Sequence, residues 1–261
     1  MDSAPTHILR GSWKLRWLGF SLHRFALLGI LPHDNVRAVA SEKRYGARRN
    51  KIAMQSLEGF ILAGGASSRM GVDKSELVLG GQTFVERVAT ALSAVTNTIT
   101  AVGRRHANVQ SKLTTVFDIY EKWGALGGLH AALSACRADW AVVVACDLPF
   151  VTGELLAHLV SLRADLDVVV PVQRDGRLQP LCAVYRAHTC LMIAEKLIQS
   201  GEHRLIALLQ SARTCWVAFE DLANLDGANR FFDNMNTPDD YARAQKGAVS
   251  QVEGKRGSVL I

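Results

Sequence analysis

The sequence predicts an α/β fold: one open, doubly wound, mostly parallel sheet with helices on both faces. Two observations carry this. From Leu57 onward, short apolar runs alternate with segments of helix length. Several runs, among them Phe60-Ile-Leu, Ala141-Val-Val-Val-Ala and Val168-Val-Val, are continuous rather than alternating, which marks strands covered on both faces. A sheet of this kind binds its ligands beyond the carboxyl ends of its strands.

In chain order the strands are predicted at Gly59–Leu62, Thr98–Val102, Thr114–Phe117, Trp140–Ala145, Asp167–Val172, Pro180–Tyr185 and Cys215–Phe219. Between and after them, helices are predicted over Thr83–Val95, Leu129–Ala135, Thr152–Leu162, Thr189–Ser200, Arg204–Gln210 and Pro238–Lys246. Thr152, with Glu154 two residues later, and Thr237, ahead of Pro238, are suited to open helices. No internal repeat is found.

The 261 residues, 49% apolar and 21% charged, suffice for a full core. The net charge of +6 is unevenly placed. Residues 1–53 hold ten Lys/Arg and three Asp/Glu, or +7, which leaves 20 basic and 21 acidic residues, or −1, for 54–261. The main domain therefore lacks the charge excess that suits DNA or RNA.

The basic segment 1–53 is expected to lie outside the folded domain, as an irregular or disordered extension. Its apolar stretch from Leu15 to Leu31 is broken by Arg16, His23 and Arg24, so it falls short of the ~18 uninterrupted residues of a membrane span. Its longest apolar core, Phe25 to Leu31, is short for a signal peptide, and no small-x-small cleavage pattern follows. A membrane-surface or anion-binding helix, a targeting segment, and a start assigned upstream of the real one at Met54 all remain open, with the last preferred. The folded domain is then expected in 54–261. The odd number of cysteines, without CxxC or metal spacing, indicates reduced thiols and a cytoplasmic location. Cys146 is read as a small packing residue rather than a nucleophile.

The most informative stretch is Leu62-Ala63-Gly64-Gly65-Ala66-Ser67-Ser68-Arg69-Met70-Gly71-Val72-Asp73-Lys74. Its glycines let the backbone approach a polyphosphate and turn N–H groups towards it, and Arg69 and Lys74 offset the phosphate charge. It is neither a Walker loop, because Val72 and Asp73 separate Gly71 from Lys74, nor a G-x-G-x-x-G. A second signal is Trp140-Ala-Val-Val-Val-Ala-Cys-Asp147-Leu-Pro149, a buried strand ending in a carboxylate. By residue type alone, Asp147 is more readily a turn or capping residue than a metal ligand.

The order Leu-Ala-Gly-Gly-x-Ser-x-Arg-Met-Gly-x-Asp-Lys resembles the signature of the molybdenum cofactor guanylyltransferases, within the wider nucleotidyltransferases of Rossmann-like fold. The resemblance covers roughly residues 57–246. It implies nucleotide contacts at Leu62, Ala63, Gly64, Gly65, Lys74, Asp118 and Asp147, catalytic roles for Arg69, Lys74 and Asp147, and Mg²⁺ at Asp147 in Cys-Asp-Leu-Pro. Gly124-Ala-Leu-Gly127-Gly128 resembles a second glycine loop. Gly128, Gln179 in Gln-Pro-Leu-Cys, Arg204, and Asn234 and Asn236 in Asn-Met-Asn-Thr-Pro are implied at the acceptor. For Arg204 a solvated helix start, and for the Asn segment a helix cap, remain open.

The implied reaction moves GMP from GTP to molybdenum-molybdopterin, releasing pyrophosphate. Molybdoenzyme apoproteins or their chaperones are implied as receivers of the product. Gly65 stands where relatives using CTP tend to have Ala, which favours GTP. The alternatives are a sister enzyme using CTP or another phosphorylated acceptor, and a silent nucleotide-binding module. Val102-Gly103-Arg104-Arg105 departs from the Asn that many members carry after the second strand.

Overall fold

The computed structural model describes residues 56–63, 77–103, 113–120 and 122–245. The strands are β1 (Leu57–Leu62), β2 (Val78–Leu79), β3 (Gln82–Thr83), β4 (Ile99–Val102), β5 (Thr114–Val116), β6 (Trp140–Ala145), β7 (Val168–Pro171), β8 (Cys182–Arg186) and β9 (Thr214–Val217). The helices are α1 (Phe84–Leu92), α2 (Gly124–Ala135), α3 (Gly153–Ser161), α4 (Ala187–Gln199), α5 (Leu205–Ser211) and α6 (Phe219–Leu222), followed by a helical segment, 238–245.

Seven strands form one sheet in the order β5-β4-β1-β6-β8-β7-β9, and β2 and β3 form a separate hairpin. The pairs β4/β5, β1/β4, β1/β6 and β7/β9 are parallel, whereas β8 runs antiparallel to both β6 and β7. The expected mostly parallel sheet is therefore present, with one reversed strand.

The continuous apolar runs serve both faces at once. Along β1, Phe60 and Leu62 join a core with Leu126 and Leu129 of α2, Cys190 of α4 and Leu208 of α5. Ile61 points into the opposite core, with Val88 of α1, Leu155 of α3 and Leu222 of α6. In β6, Val143 belongs to the first core and Val142 and Val144 to the second. All six residues of β6 are buried, so this strand is the centre of both layers. Period-2 alternation puts apolar side chains on both sides of a strand only where helices cover both sides.

Local signals fix the helix starts. Thr83 and Glu86 form a capping box on α1: Glu86 N–H donates to Thr83 Oγ1 at 3.2 Å and Thr83 N–H to Glu86 Oε2 at 2.7 Å. Thr152 opens α3 by accepting from Leu155 N–H at 3.3 Å. Thr237 Oγ1 accepts from Asp240 N–H at 3.2 Å while Asp240 Oδ2 accepts from Thr237 N–H at 2.9 Å, so Thr237 begins the segment 238–245. The helix expected from Leu129 begins five residues earlier, at Gly124. The strand expected to reach Phe219 ends at Val217, and Phe219 instead opens α6. Among the described residues no helix is long and apolar enough to cross a membrane.

Candidate functional site

The chain order of strands reverses between β1 and β6: β4 and β5 continue on one side of β1, while β6, β8, β7 and β9 lie on the other. In a doubly wound sheet this switch point opens a crevice beyond the carboxyl ends. Here the ends are lashed together. Leu62 pairs with Ala145 and with Val102 in register. Just beyond, Ala63 N–H donates to Val102 C=O at 2.8 Å, Cys146 N–H to Leu62 C=O at 3.0 Å and Gly103 N–H to Val116 C=O at 3.0 Å. Leu62 and Ala63 are buried at this rim. The chain then enters 64–76, so Gly64, Gly65, Arg69 and Lys74 lie outside the described residues.

Asp147 sits one residue past Cys146 on the central strand's exit. Two turns follow directly, with Leu148 N–H donating to Ala145 C=O at 3.2 Å and Val151 N–H to Leu148 C=O at 3.3 Å. They hold Leu148 and Val151 in the core and keep Asp147 at the surface side of the loop, half-buried. The Asn segment is fastened to the same loop, because Met235 N–H donates to the Asp147 carbonyl at 3.0 Å. Met235 is buried against Leu79, Phe84 and Ala244 and anchors the segment. Its neighbours Asn234 and Asn236 are half-buried and exposed, respectively. The helix cap that the sequence left open for these amides falls to Thr237.

On the far side of β1, Asp118 Oδ1 accepts from Tyr120 N–H at 3.2 Å, closing a tight turn after the edge strand β5. Trp123 N–H then donates to Tyr120 C=O at 3.2 Å, and α2 begins with no side-chain cap. The loop lies so close to the helix that a Cβ at Gly127 would be 2.9 Å from the Tyr120 carbonyl oxygen and 3.1 Å from Asp118 Oδ1. Gly128 faces Leu62, where a Cβ would be 3.5 Å from Cδ1. Behind this turn His130 is buried, with its ring 4.9 Å from that of Tyr120. Burial pushes its pKa below the usual histidine value, and Glu195 and Asp118 pull it back up.

The reversed strand β8 brings its amino end to the carboxyl end of β6. Ala145 N–H donates to Leu181 C=O at 2.8 Å, Gln179 N–H to Pro171 C=O at 3.0 Å, and Cys182 N–H to Gln179 C=O at 3.0 Å. Gln179 is buried there. Leu62, Ala63, Asp118, Gly128, Asp147, Gln179, Asn234 and Asn236 thus lie on segments gathered at one end of the sheet. Arg204 stands apart. Exposed at the start of α5, it donates from Nε to Glu202 Oε1 at 2.9 Å, which holds the Glu202 carboxyl down at about 2. Its neighbour His203 stacks on Trp123, with centroids 3.9 Å apart, so the 200–204 loop touches the start of α2.

Sequence reasoning missed the scaffold beneath Asp147. Arg87 of α1 donates from Nε to Pro149 C=O at 3.0 Å and from Nη1 to Leu79 C=O at 3.3 Å. Arg230 lies over the Phe150 ring, 3.6 Å from its centroid. The available signal was an arginine three residues after Phe84, beside the apolar stripe of Phe84, Val88 and Ala91 on α1. Among the described residues no group of three or more His, Cys, Asp or Glu is arranged to hold a metal.

The profile of the MobA-like NTP transferase domain matches residues 59–215. A probable molybdenum cofactor guanylyltransferase of Pelotomaculum thermopropionicum is 34% identical over 204 residues, covering 77% of this chain and 98% of the relative. A molybdenum cofactor guanylyltransferase of Desulfosudis oleivorans is 29% identical, covering 74% and 96%. Among solved structures, molybdopterin-guanine dinucleotide biosynthesis protein A of Archaeoglobus fulgidus is similar with a TM-score of 0.63 at 28% identity, covering 74% of this chain and 99% of that one. The 2-C-methyl-D-erythritol 4-phosphate cytidylyltransferase of Thermus thermophilus, at 15% identity, 72% and 97% coverage and a TM-score of 0.53, shares the fold.

Proposed function

The chain belongs to the MobA-like NTP transferase family, and on that premise we propose that it transfers GMP from GTP to molybdenum-molybdopterin, forming the guanine dinucleotide cofactor and pyrophosphate. The observation that carries this is full-length similarity, 34% over 98% of a relative named for that activity, combined with Asp147 at the switch point beside the end of β1.

In the proposed reaction a terminal phosphate oxygen of the acceptor attacks the α-phosphorus of GTP. A new P–O bond forms as the bond to the bridging oxygen of the β-phosphate breaks, and pyrophosphate leaves with that electron pair. Such a displacement asks a protein for alignment and charge stabilisation rather than covalent chemistry. Leu62 to Gly65 wrap the nucleotide with main-chain groups, Asp118 contacts it from the edge, and Arg69 and Lys74 offset triphosphate charge. Gly128, Gln179, Asn234 and Asn236 face the acceptor, and Arg204 is assigned to its phosphate. That last assignment requires Arg204 to leave or share Glu202.

The donor set fits Mg²⁺, which binds through one or two carboxylates plus substrate phosphates and retained waters instead of a full protein cage. Asp147 offers one carboxylate, at the exit of the central strand. When bound, the ion supplies charge stabilisation to the phosphates. A cytoplasmic location accords with the five thiols, and apoenzymes or their chaperones are the proposed receivers of the product.

The test compares GTP and CTP side by side with purified protein, Mg²⁺ and molybdopterin, reading pyrophosphate release. Release with GTP alone supports the proposal. Release with CTP alone moves the protein to the sister activity, and GTP binding without release points to another acceptor or a silent module.

A further inference from the structure

We propose that Arg87 is a positioning residue of the transfer reaction, setting the exit of the glycine loop at a fixed distance from the exit of the Asp147 loop; the proposal rests on the nucleotidyl-transfer reading above. The two loops are far apart in sequence and carry the two halves of the phosphate machinery. Lys74 precedes Leu79 by five residues, and Asp147 precedes Pro149 by two. A single guanidinium bonds both exits, through Nε to Pro149 C=O at 3.0 Å and Nη1 to Leu79 C=O at 3.3 Å. Its planar fork fixes the angle between those donors, which an ammonium does not.

The surroundings make this the rigid part of an otherwise small attachment. The hairpin β2–β3 is two residues per strand and lies outside the main sheet. Its own pairing is too short to hold a loop in place. It is held instead by burial of Leu79 with Phe84 and Met235, by Tyr241 Oη donating to Val78 C=O at 2.6 Å, by Phe84 N–H donating to Leu77 C=O at 3.0 Å, and by Arg87. Of these, Arg87 reaches the Asp147 loop directly. Met235 reaches it from the other side through the Asp147 carbonyl. Phe150 is flanked by the two guanidiniums, with Arg230 at 3.6 Å and Arg87 at 5.9 Å from its centroid. Removing Arg87 leaves two carbonyls to find water, which separates the loops without emptying the main core.

The experiment uses the full chain, with Arg87→Met, Arg87→Lys and, as control, Arg186→Met. Arg186 has the same kind of role elsewhere: it donates to Leu166 C=O at 2.9 Å and Ala164 C=O at 3.2 Å and lies over Trp140 at 4.7 Å. It is far from the site, at the β6 end marked by the Trp140–Arg186 pair. Two quantities are read: amide hydrogen exchange of segments 77–83 and 147–151, and kcat and KM for pyrophosphate release.

In Arg87→Met both segments should exchange faster together. Its kcat should fall on the order of 100-fold while the KM for GTP moves less than about threefold, since a loop misplaced by an ångström acts on alignment. Arg87→Lys, which keeps the charge and can reach one carbonyl, should recover about tenfold of that loss. Arg186→Met should lower the melting temperature and leave both exchange segments and kcat in place. Unchanged exchange in either segment, or kinetics of Arg87→Met that match those of Arg186→Met, overturns the proposal. A wild-type protein that releases no pyrophosphate sinks the transfer reading instead, and the exchange result alone then decides whether Arg87 joins the two loops.

Discussion

Replacing Gly127 with alanine probes how tightly the Asp118 turn is built onto α2. The added Cβ would stand 2.9 Å from the Tyr120 carbonyl oxygen, 3.0 Å from Trp123 Cβ and 3.1 Å from Asp118 Oδ1. The first two atoms are backbone or one bond from it, so the clash is relieved only by moving the loop. That loop is already tied by the Asp118–Tyr120 bond at 3.2 Å and the Trp123–Tyr120 bond at 3.2 Å. Overpacking of this kind costs about 1–3 kcal/mol. Replacing a helical glycine by alanine returns about 0.5–1 kcal/mol. The net loss is then about 0.5–2 kcal/mol, and at about 2–4 °C per kcal/mol for a domain of this size the melting temperature drops by roughly 1–8 °C. Because the displaced loop carries Asp118, GTP affinity should fall as well. Gly128→Ala is the matched comparison: its Cβ would lie 3.5 and 3.9 Å from the Leu62 methyl carbons, ordinary contact, so it keeps the helix gain and melts at or above the wild-type temperature. If Gly128 lines the acceptor, that variant raises the acceptor KM alone. Thermal unfolding and calorimetric GTP titration of both proteins decide the matter. A Gly127→Ala protein that melts with wild type and binds GTP equally well would falsify the close-approach argument.

Asp147→Ala should lower kcat by about 100-fold or more in pyrophosphate release while the melting curve stays near wild type. The loop's anchoring bond to Met235 uses the Asp147 backbone carbonyl, which alanine retains; near-normal turnover with Mg²⁺ would remove the metal assignment. Asp167 is a matter of stability rather than chemistry: hydrogen bonds from the Arg213 side chain, and then its backbone N–H and the charges of Arg213 and Arg186, hold its carboxyl below the ordinary value. A depressed folded-state pKa stabilises above the unfolded value of about 3.9 and is lost as pH falls through the folded one, so Asp167→Asn should lower the urea midpoint at pH 7 and lose that difference in strong acid. An equal gap at both pH values would contradict this account. Finally, protein 54–261 should melt and turn over like the full chain, and loss of folding on that truncation would place part of 1–53 inside the domain.

All seven strands of the main sheet, and five helices together with the segment 238–245, lie where apolar runs and helix periods put them, because burial on both faces leaves an unmistakable pattern in β1, β6 and β7. Strand direction leaves no such pattern. Nothing in Cys182-Ala-Val-Tyr-Arg distinguishes β8 from a parallel neighbour, since a strand buried on both faces reads alike in either direction. The hairpin β2–β3 was invisible for another reason: two residues per strand are too few for any period to register. In the site, Asp147 stood out as a carboxylate at the end of the apolar run of β6, whereas its expected role and the choice of Asp118 and Gln179 came from the family resemblance alone. Arg87 was not legible, because its partners are carbonyls 8 and 62 residues away, and backbone acceptors carry no residue identity.

The reversal of β8 has a functional consequence that a wholly parallel sheet would lack. A parallel strand in that position would present its carboxyl end, residue 186, beside the end of β6, and the segment 179–181 would lie at the opposite pole. Running antiparallel, β8 pairs Val144 with Cys182 and Trp140 with Arg186, so its approach segment meets Ala145 through the Leu181 carbonyl at 2.8 Å. Asp147 therefore stands between two groups of different origin. On one side lie the ends of β1 and β4 and the Asp118 turn beyond β5. On the other lie Gln179 and the end of β7 at Pro171, joined to it at 3.0 Å. On the guanylyl-transfer reading this arrangement assigns the nucleotide to the side of β1 and the Asp118 turn, and Gln179 to the acceptor on the other side, with Asp147 at the exit between them and Gly128, which faces Leu62, reaching the acceptor from the nucleotide side. Base choice and the Gln179 contact to the acceptor then reside in different strands, so substitution of Gln179 should raise the acceptor KM without shifting the preference between GTP and CTP.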